Sequence, residues 1–306
     1  MHKTKMIYSL TLNPSLDYLM DLDDFSLGRT NRSKKEFINV GGKGINVSIL
    51  LKNLGLDTKV LGFVGGFTGQ EVARRLEKKG LLTDFIQLDQ GLSRINVKLR
   101  GREESEINGA GPSLEEDKLY SLYDQLDQLE EGSILVLSGN LIKGLDQDFY
   151  GSVMKKLSSK DVEIVVDTSG ESLVASLDYG PLLVKTNRDE LEEIFACHLE
   201  GLEDIKKYAR ELQKLGARNV IVSLGGQGAY FLSEEGEDYF HSALEGDLVS
   251  AVGAGDSMVA GFIYAYVKDF NFIDRCNFSL AAASATAFSR GIATREDILK
   301  LYERIG

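Results

Sequence analysis

Short apolar runs alternate with stretches of helical periodicity along nearly the whole chain. Residues 7–12, 59–64, 134–137, 163–167, 182–185 and 220–223 are rich in Ile, Val and Leu, the pattern of strands buried on both faces. Between them, residues 45–54 read as a helix that stops at Gly55. Ser113-Leu114-Glu115-Glu116 has the spacing of a capping box ahead of Leu119, Leu122, Leu126 and Leu129, which share one helical face. Strands and helices in alternation predict an α/β fold, with a mostly parallel sheet between two helical layers.

Two stretches break this rhythm. Residues 17–40 and 94–107 mix polar and apolar positions with many charges and no helical period, so they are expected to form a small separate sheet, a β lid over one end of the main sheet. A half-exposed sheet must cover its apolar face, and a second copy of the chain is a natural cover. Leu19, Phe37 and Ile38 are the lid residues expected to need it. With three prolines and no repeat or linker, residues 6–306 read as one domain with the lid inside it.

Composition narrows the function. The 306 residues are 43% hydrophobic and 27% charged, which excludes a disordered, collagen-like or coiled-coil chain. A net charge of −12 argues against nucleic-acid and membrane-surface partners, although a few local cations and backbone N–H groups can still hold a small anion. Cys197 and Cys276 form no C-x-x-C pair and are expected to be buried thiols in a reducing, cytoplasmic setting. His2, His198 and His241 have no metal-ligand spacing. The apolar run at 258–267 is too short to span a bilayer, and residues 1–5 read as a leader with no part in the fold.

Glycines concentrate at Gly41-Gly42-Lys43-Gly44, Gly225-Gly226-Gln227-Gly228 and Gly253-Ala254-Gly255-Asp256. Taken alone, each cluster is a tight turn. None is a Walker A loop, since Gly44 follows Lys43, and none completes a G-x-G-x-x-G, which demotes a nicotinamide oxidoreductase. The third cluster runs into Asp256 and an apolar helix at 257–267. Free N–H groups at a helix start, beside a carboxylate, form an anion hole with a base. Phosphoryl transfer needs that pair.

Asn13-Pro14-Ser15-Leu16-Asp17, Gly41-Gly42-Lys43-Gly44-Ile45-Asn46-Val47, Asn187-Arg188-Asp189-Glu190, Ser223-Leu224-Gly225-Gly226-Gln227-Gly228 and Gly253-Ala254-Gly255-Asp256 together resemble the motif series of the ribokinase-like (PfkB) carbohydrate kinases, in order and spacing. Arg94-Ile95-Asn96-Val97-Lys98 and Glu106-Ile107-Asn108-Gly109 are most similar to the members that convert fructose 1-phosphate to fructose 1,6-bisphosphate, with tagatose 6-phosphate kinases the near alternative. A sugar-phosphate-binding protein without turnover is a remote alternative, whose mark would be loss of Asp256 or its glycines.

The resemblance implies ATP and Mg2+, a homodimer formed through the lid, and a role for each matched residue. Asp256 would be the base and the backbone of Gly253, Ala254 and Gly255 the anion hole. On the sugar side stand Asp17, Gly41, Gly42, Asn46, Ser138 and Asn108, with Lys43, Arg94 and Arg32 for the existing phosphate. On the nucleotide side stand Lys185, Asn187, the loop Ser223, Leu224, Gly225, Gly226, Gln227 and Gly228, and Asn277 with Ser284 for the base. Glu190 would act on the magnesium through water.

Overall fold

A computed structural model describes residues 6–305 apart from Glu103; the leader expected at residues 1–5 lies outside the described residues. The strands are β1 (Ile7–Thr11), β2 (Ser15–Asp21), β3 (Lys35–Gly41), β4 (Thr58–Gly65), β5 (Leu82–Leu88), β6 (Arg94–Arg100), β7 (Glu104–Asn108), β8 (Ser133–Ser138), β9 (Val162–Asp167), β10 (Leu183–Asn187), β11 (Asn219–Ser223), β12 (Ala229–Leu232) and β13 (Asp238–His241). The helices are α1 (Lys43–Asn53), α2 (Gly66–Lys78), α3 (Glu116–Asp127), α4 (Phe149–Leu157), α5 (Gly170–Leu177), α6 (Arg188–Phe195), α7 (Leu202–Lys214), α8 (Ala254–Val267), α9 (Phe272–Ala287) and α10 (Arg295–Tyr302).

Nine strands form one sheet in the order β13-β12-β11-β10-β9-β8-β1-β4-β5. From β11 to β5 every pairing is parallel, and β12 and β13 add an antiparallel edge. Alternation along the strands sorts side chains between two cores. Leu10, Leu137, Val166 and Val184 pack under α3 to α7. Ile7, Val136, Val165 and Leu183 pack against α1, α8, α9 and α10. Thr11, Ser138, Asp167 and Lys185 continue the second set at the carboxyl ends of β1, β8, β9 and β10, so four polar side chains face α1 and α8. The strand order reverses about β1, whose neighbours are β4 and β8, which makes this rim the switch point where open α/β sheets bind ligands.

The expected separate sheet is present in the order β3-β2-β6-β7. Its strands occupy the ends of the two predicted stretches, and residues 22–34 between β2 and β3 form no strand. Asp17 lies opposite Asn39 on one side and Asn96 on the other. Leu19 is buried within the chain and needs no partner, whereas Phe37 and Ile38 are exposed.

Two expectations are corrected, and three strands were not expected at all. The capping box at Ser113 does not form: α3 starts after Glu115 with no side-chain cap, because Ser113 is drawn into a bridge with Lys143. Strands β5, β12 and β13 had no expectation; β5 and β13 are polar-interrupted sheet edges. Cys276 is buried, but Cys197 is only half-buried. No helix among the described residues is long and apolar enough to cross a membrane.

Candidate active site

The third glycine cluster supplies the centre. Gly253 precedes α8 with φ 82, a left-handed backbone that glycine adopts without strain. Asp256 therefore stands in the first turn of α8 and is not its cap. Among the described residues the N–H groups of Gly253, Gly255 and Asp256 have no acceptor. That of Ala254 turns back to the Ala251 carbonyl at 3.3 Å, so Ala254, expected to be a donor of the anion hole, is engaged within the turn.

Asp256 is buried, and its Oδ2 accepts from Asn46 Nδ2 at 2.7 Å. Asn46 is positioned by α1, which begins after Gly42 with φ 134. Burial, and then the charge of Asp167, push the Asp256 carboxyl up to about 6, against the pull of Asn46, Lys43 and Lys185. Lys43 Nζ and Lys185 Nζ both donate to Asp167 Oδ1, at 3.1 and 3.3 Å. Burial alone would raise Asp167, but the two ammonium groups outweigh it and hold it below its ordinary value. Burial would likewise lower Lys43, but Asp167, Glu190 and Asp256 hold it above its ordinary value. A Cβ on Gly255 would sit 3.1 Å from Lys185 Nζ, so this ammonium lies against the start of α8. One buried cation, Lys185, and one half-buried cation, Lys43, thus stand near the N-terminus of a helix whose first turn carries a carboxylate.

Of the residues expected on the sugar side, Asp17, Gly41, Arg94 and Asn108 lie on strands of the small sheet. Asp17 Oδ1 accepts from Ser15 Oγ at 2.7 Å and Asn96 Nδ2 at 2.9 Å, and Oδ2 lies 3.5 Å from Lys98 Nζ. A side chain on Gly41 would run into Ser15 and this carboxylate. Asp17, Gly41 and Asn46 line one cavity of about 760 Å³. Ser138 ends β8 with its buried Oγ unpartnered among the described residues, and a Cβ on Gly44 would approach that Oγ at 2.8 Å. Arg94 Nε is tied to the Asn13 carbonyl at 3.1 Å, while burial lowers its pKa against the pull of Asp17. Asn108 is exposed at the end of β7 beside Asn96. Arg32 is exposed on the loop between β2 and β3, and the structure does not bring it to the cavity.

On the other side of the cluster, Asn187 and Glu190 form a capping box: Asn187 Oδ1 accepts from Glu190 N, and Glu190 Oε2 from Asn187 N, both at 2.9 Å. The pair is first a helix start, and among the described residues Glu190 Oε1 has no partner. Ser223 Oγ donates to the Thr186 carbonyl at 3.2 Å. Leu224 leads into a 3₁₀ turn, Gly225–Gln227, with Gln227 held by Arg188 at 2.9 Å. Gly228 has φ 107, and a side chain there would strike the His241 carbonyl. Asn277 Oδ1 accepts from Tyr239 Oη at 2.9 Å, and Ser284 is buried two turns further along α9. No three His, Cys, Asp or Glu side chains gather as a metal cage among the described residues.

Asp167 and Lys98 were not singled out from the sequence. The signal for Asp167 was a carboxylate ending the otherwise apolar run Ile164-Val165-Val166. Lys98 stood at the end of the motif Arg94-Ile95-Asn96-Val97-Lys98 with no role of its own, and the alternation there sets it on the Asp17 face.

The pfkB family carbohydrate kinase model matches residues 10–298. The chain is 39% identical over 300 residues to a 1-phosphofructokinase of Bacillus subtilis, covering 98% of each. It is 34% identical to a D-tagatose-1-phosphate kinase of Bacillus licheniformis, covering 97% of this chain and 96% of that one. The tetrameric inhibited form of phosphofructokinase-2 from Escherichia coli superposes with a TM-score of 0.91 at 29% identity, over 99% of both chains. At 21% identity, Arabidopsis thaliana ribokinase shares the fold, with a TM-score of 0.78 over 98% of this chain and 99% of that one. With the three-layer fold, the helix-start carboxylate and the lid, these likenesses make the chain a member of the PfkB carbohydrate kinase family, a sugar-phosphate kinase with the ribokinase-like fold.

Proposed function

We propose that the chain, acting as one kinase unit with its lid, transfers the γ-phosphoryl group of ATP to the free primary hydroxyl of fructose 1-phosphate, giving fructose 1,6-bisphosphate. The observation that carries this reading is the buried Asp256 carboxylate beside unpaired N–H groups at the start of α8. Asn46 holds Oδ2, which leaves Oδ1 to take the hydroxyl proton. A base whose pKa lies near 6 is ionised at neutral pH and still basic enough to accept that proton. The free N–H groups with Lys185 then stabilise charge on the transferring phosphoryl.

Asp17 accepts hydrogen bonds from the sugar hydroxyls, and the bare backbone at Gly41 lets the ring approach. Arg94, fixed through Nε, turns its remaining N–H donors to the substrate phosphate. Magnesium fits this chemistry as a cation held mainly by the nucleotide phosphates and water. Asp167 Oδ2, buried and unpartnered, and the free Oε1 of Glu190 are the oxygens that would complete its shell, and the ion would neutralise phosphate charge.

The lid supports self-association. Ile38, Ile95 and Ile107 are 38%, 43% and 61% exposed, and the strand register sets them with Tyr18 and Val97 on the face opposite Asp17. A homodimer burying this face is our reading. The tetramer described for the E. coli relative makes the number of copies a quantity to measure.

The Bacillus licheniformis relative favours one second substrate, D-tagatose 1-phosphate, the C4 epimer of fructose 1-phosphate. Tagatose 6-phosphate carries its phosphate at the other end of the sugar. An ADP-release assay across fructose 1-phosphate, tagatose 1-phosphate, tagatose 6-phosphate, fructose 6-phosphate and fructose ranks them by kcat/KM. Highest efficiency with fructose 1-phosphate is expected, and a clear preference for another sugar overturns the assignment.

A further inference from the structure

The cavity that contains Asp17, Gly41 and Asn46 does not end at the sugar loop. It continues past the edge of β3, between α1 and α2, where its walls carry Lys52, Arg74, Arg75, Lys78, Lys79 and Arg290. Asp17, at the inner end, is the sole carboxylate lining the cavity among the described residues. In a chain of net charge −12, this convergence opposes the overall field.

Ordinary causes account for part of it. Cations in the last turn of a helix complement its dipole, which covers Arg75 and Lys78 in α2. Glu71 neutralises one charge between Arg74 and Arg75, and Lys52 lies 3.4 Å from Asp57. Neither cause brings Arg290, from the turn after α9, to the same cleft. Among the described residues Lys78, Lys79 and Arg290 have no carboxylate within ion-pair distance. Arg75 is also held in place, since its Nη1 donates to the Ile38 carbonyl on the β3 edge at 2.6 Å. Like charges from three chain segments repel unless an anion lies between them.

We propose that this outer cleft is a second anion site, which binds a small molecule carrying two or more phosphate groups. One phosphate would not need so many cations, and the substrate phosphate already has Arg94. Because the cleft opens into the cavity holding Asp17 and Asn46, an occupant there narrows the approach of the sugar phosphate and raises its KM. That kinetic consequence rests on the sugar-phosphate reading above, whereas the binding itself does not. Two sources share the chemistry, a nucleoside triphosphate tail and a sugar bisphosphate.

The test is calorimetric titration with inorganic tripolyphosphate of the wild-type protein and of the triple variant Arg74→Ala, Lys78→Ala, Lys79→Ala. These side chains lie outside the catalytic cluster, so basal kcat should be unchanged. The wild type is expected to bind at two sites, the catalytic anion hole and the cleft. The triple variant should keep the first and bind at the second at least roughly tenfold more weakly, and added salt should weaken the cleft site in the wild type. Identical isotherms for the two proteins, or one wild-type site untouched by the variant, overturn the proposal. Should the triple variant fold poorly, the double variant Lys78→Gln, Lys79→Gln is read in the same way. Parallel titrations with ATP and with fructose 1,6-bisphosphate separate the sources, since the cleft ligand is the one whose affinity falls in the variant.

Discussion

Asn46 Nδ2 donates to Asp256 Oδ2 at 2.7 Å, joining the start of α1 to the start of α8. The bond fixes one carboxylate oxygen and leaves the other without a partner among the described residues. It also links the two glycine turns: without Gly42 at φ 134 and Gly253 at φ 82, neither helix would start where this contact forms.

Asp256→Asn keeps the side chain's shape and its contact with Asn46 but removes the proton acceptor. kcat should fall by about two to four orders of magnitude, with calorimetry showing ATP and sugar-phosphate binding little changed. In the wild type, kcat should fall as the pH drops through about 6, where Asp256 is protonated. A variant with near wild-type kcat would remove Asp256 from the role of base.

The same substitution should stabilise the protein at neutral pH. The folded pKa of about 6 lies above the ordinary 3.8, so the group's stabilising contribution is complete below about pH 4 and is lost as the pH rises through 6. At pH 7 to 8 the ionised carboxylate costs roughly 1–3 kcal/mol. The Tm of Asp256→Asn should therefore exceed that of the wild type at pH 7.5, and the gap should close toward pH 4. A gap that does not vary with pH would contradict this origin.

Much of this was legible in the chain. Long apolar strands and glycine-led helices announce themselves through composition, and Asp256 follows a glycine turn that a cap would not need. Asp167 was not legible, because its partners lie on other elements: Lys185 meets it through the parallel pairing of β9 and β10, and Lys43 through the packing of α1 on the sheet. The box at Ser113 misled because its local spacing is right, while the pairing with Lys143 is a contact at longer range. Edge strands such as β13 carry a weak hydrophobic signal, since solvent covers one of their faces.

Arg94→Ala should raise KM for the sugar phosphate and leave KM for ATP nearly unchanged. Losing one charge-assisted contact costs about 1.5–3 kcal/mol. Arg94 Nε also ties the strand to the Asn13 carbonyl, so both constants must be measured. Equal changes in the two would assign Arg94 to lid assembly instead.

Charge on the outer lid face should disrupt self-association. Ile38→Asp with Ile107→Asp places two carboxylates on the exposed apolar face without touching the face of Asp17. Light scattering at micromolar concentration should give about twice the chain mass, or a higher multiple, for the wild type and a lower mass for the variant. A wild type that is monomeric and fully active would overturn the lid interface.

Asp167→Asn tests the electrostatic core of the site. Asp167 holds the buried Lys185 and the half-buried Lys43 ammonium groups and is fully buried itself, so neutralising it takes from both lysines the carboxylate they are bonded to. Removing one partner of a buried ion pair costs about 3–5 kcal/mol, which thermal melts will register as a lower Tm. The charge on Asp167 is also one of the causes that raise Asp256. Without it the two lysines act on Asp256 unopposed, and the Asp256 pKa must fall. The acid limb of kcat should then move below pH 6, even as kcat itself drops through loss of a phosphate-side oxygen. A lower Tm with the limb still near 6 would make Asp167 only a structural counter-ion; a shifted limb makes it the residue that tunes the base.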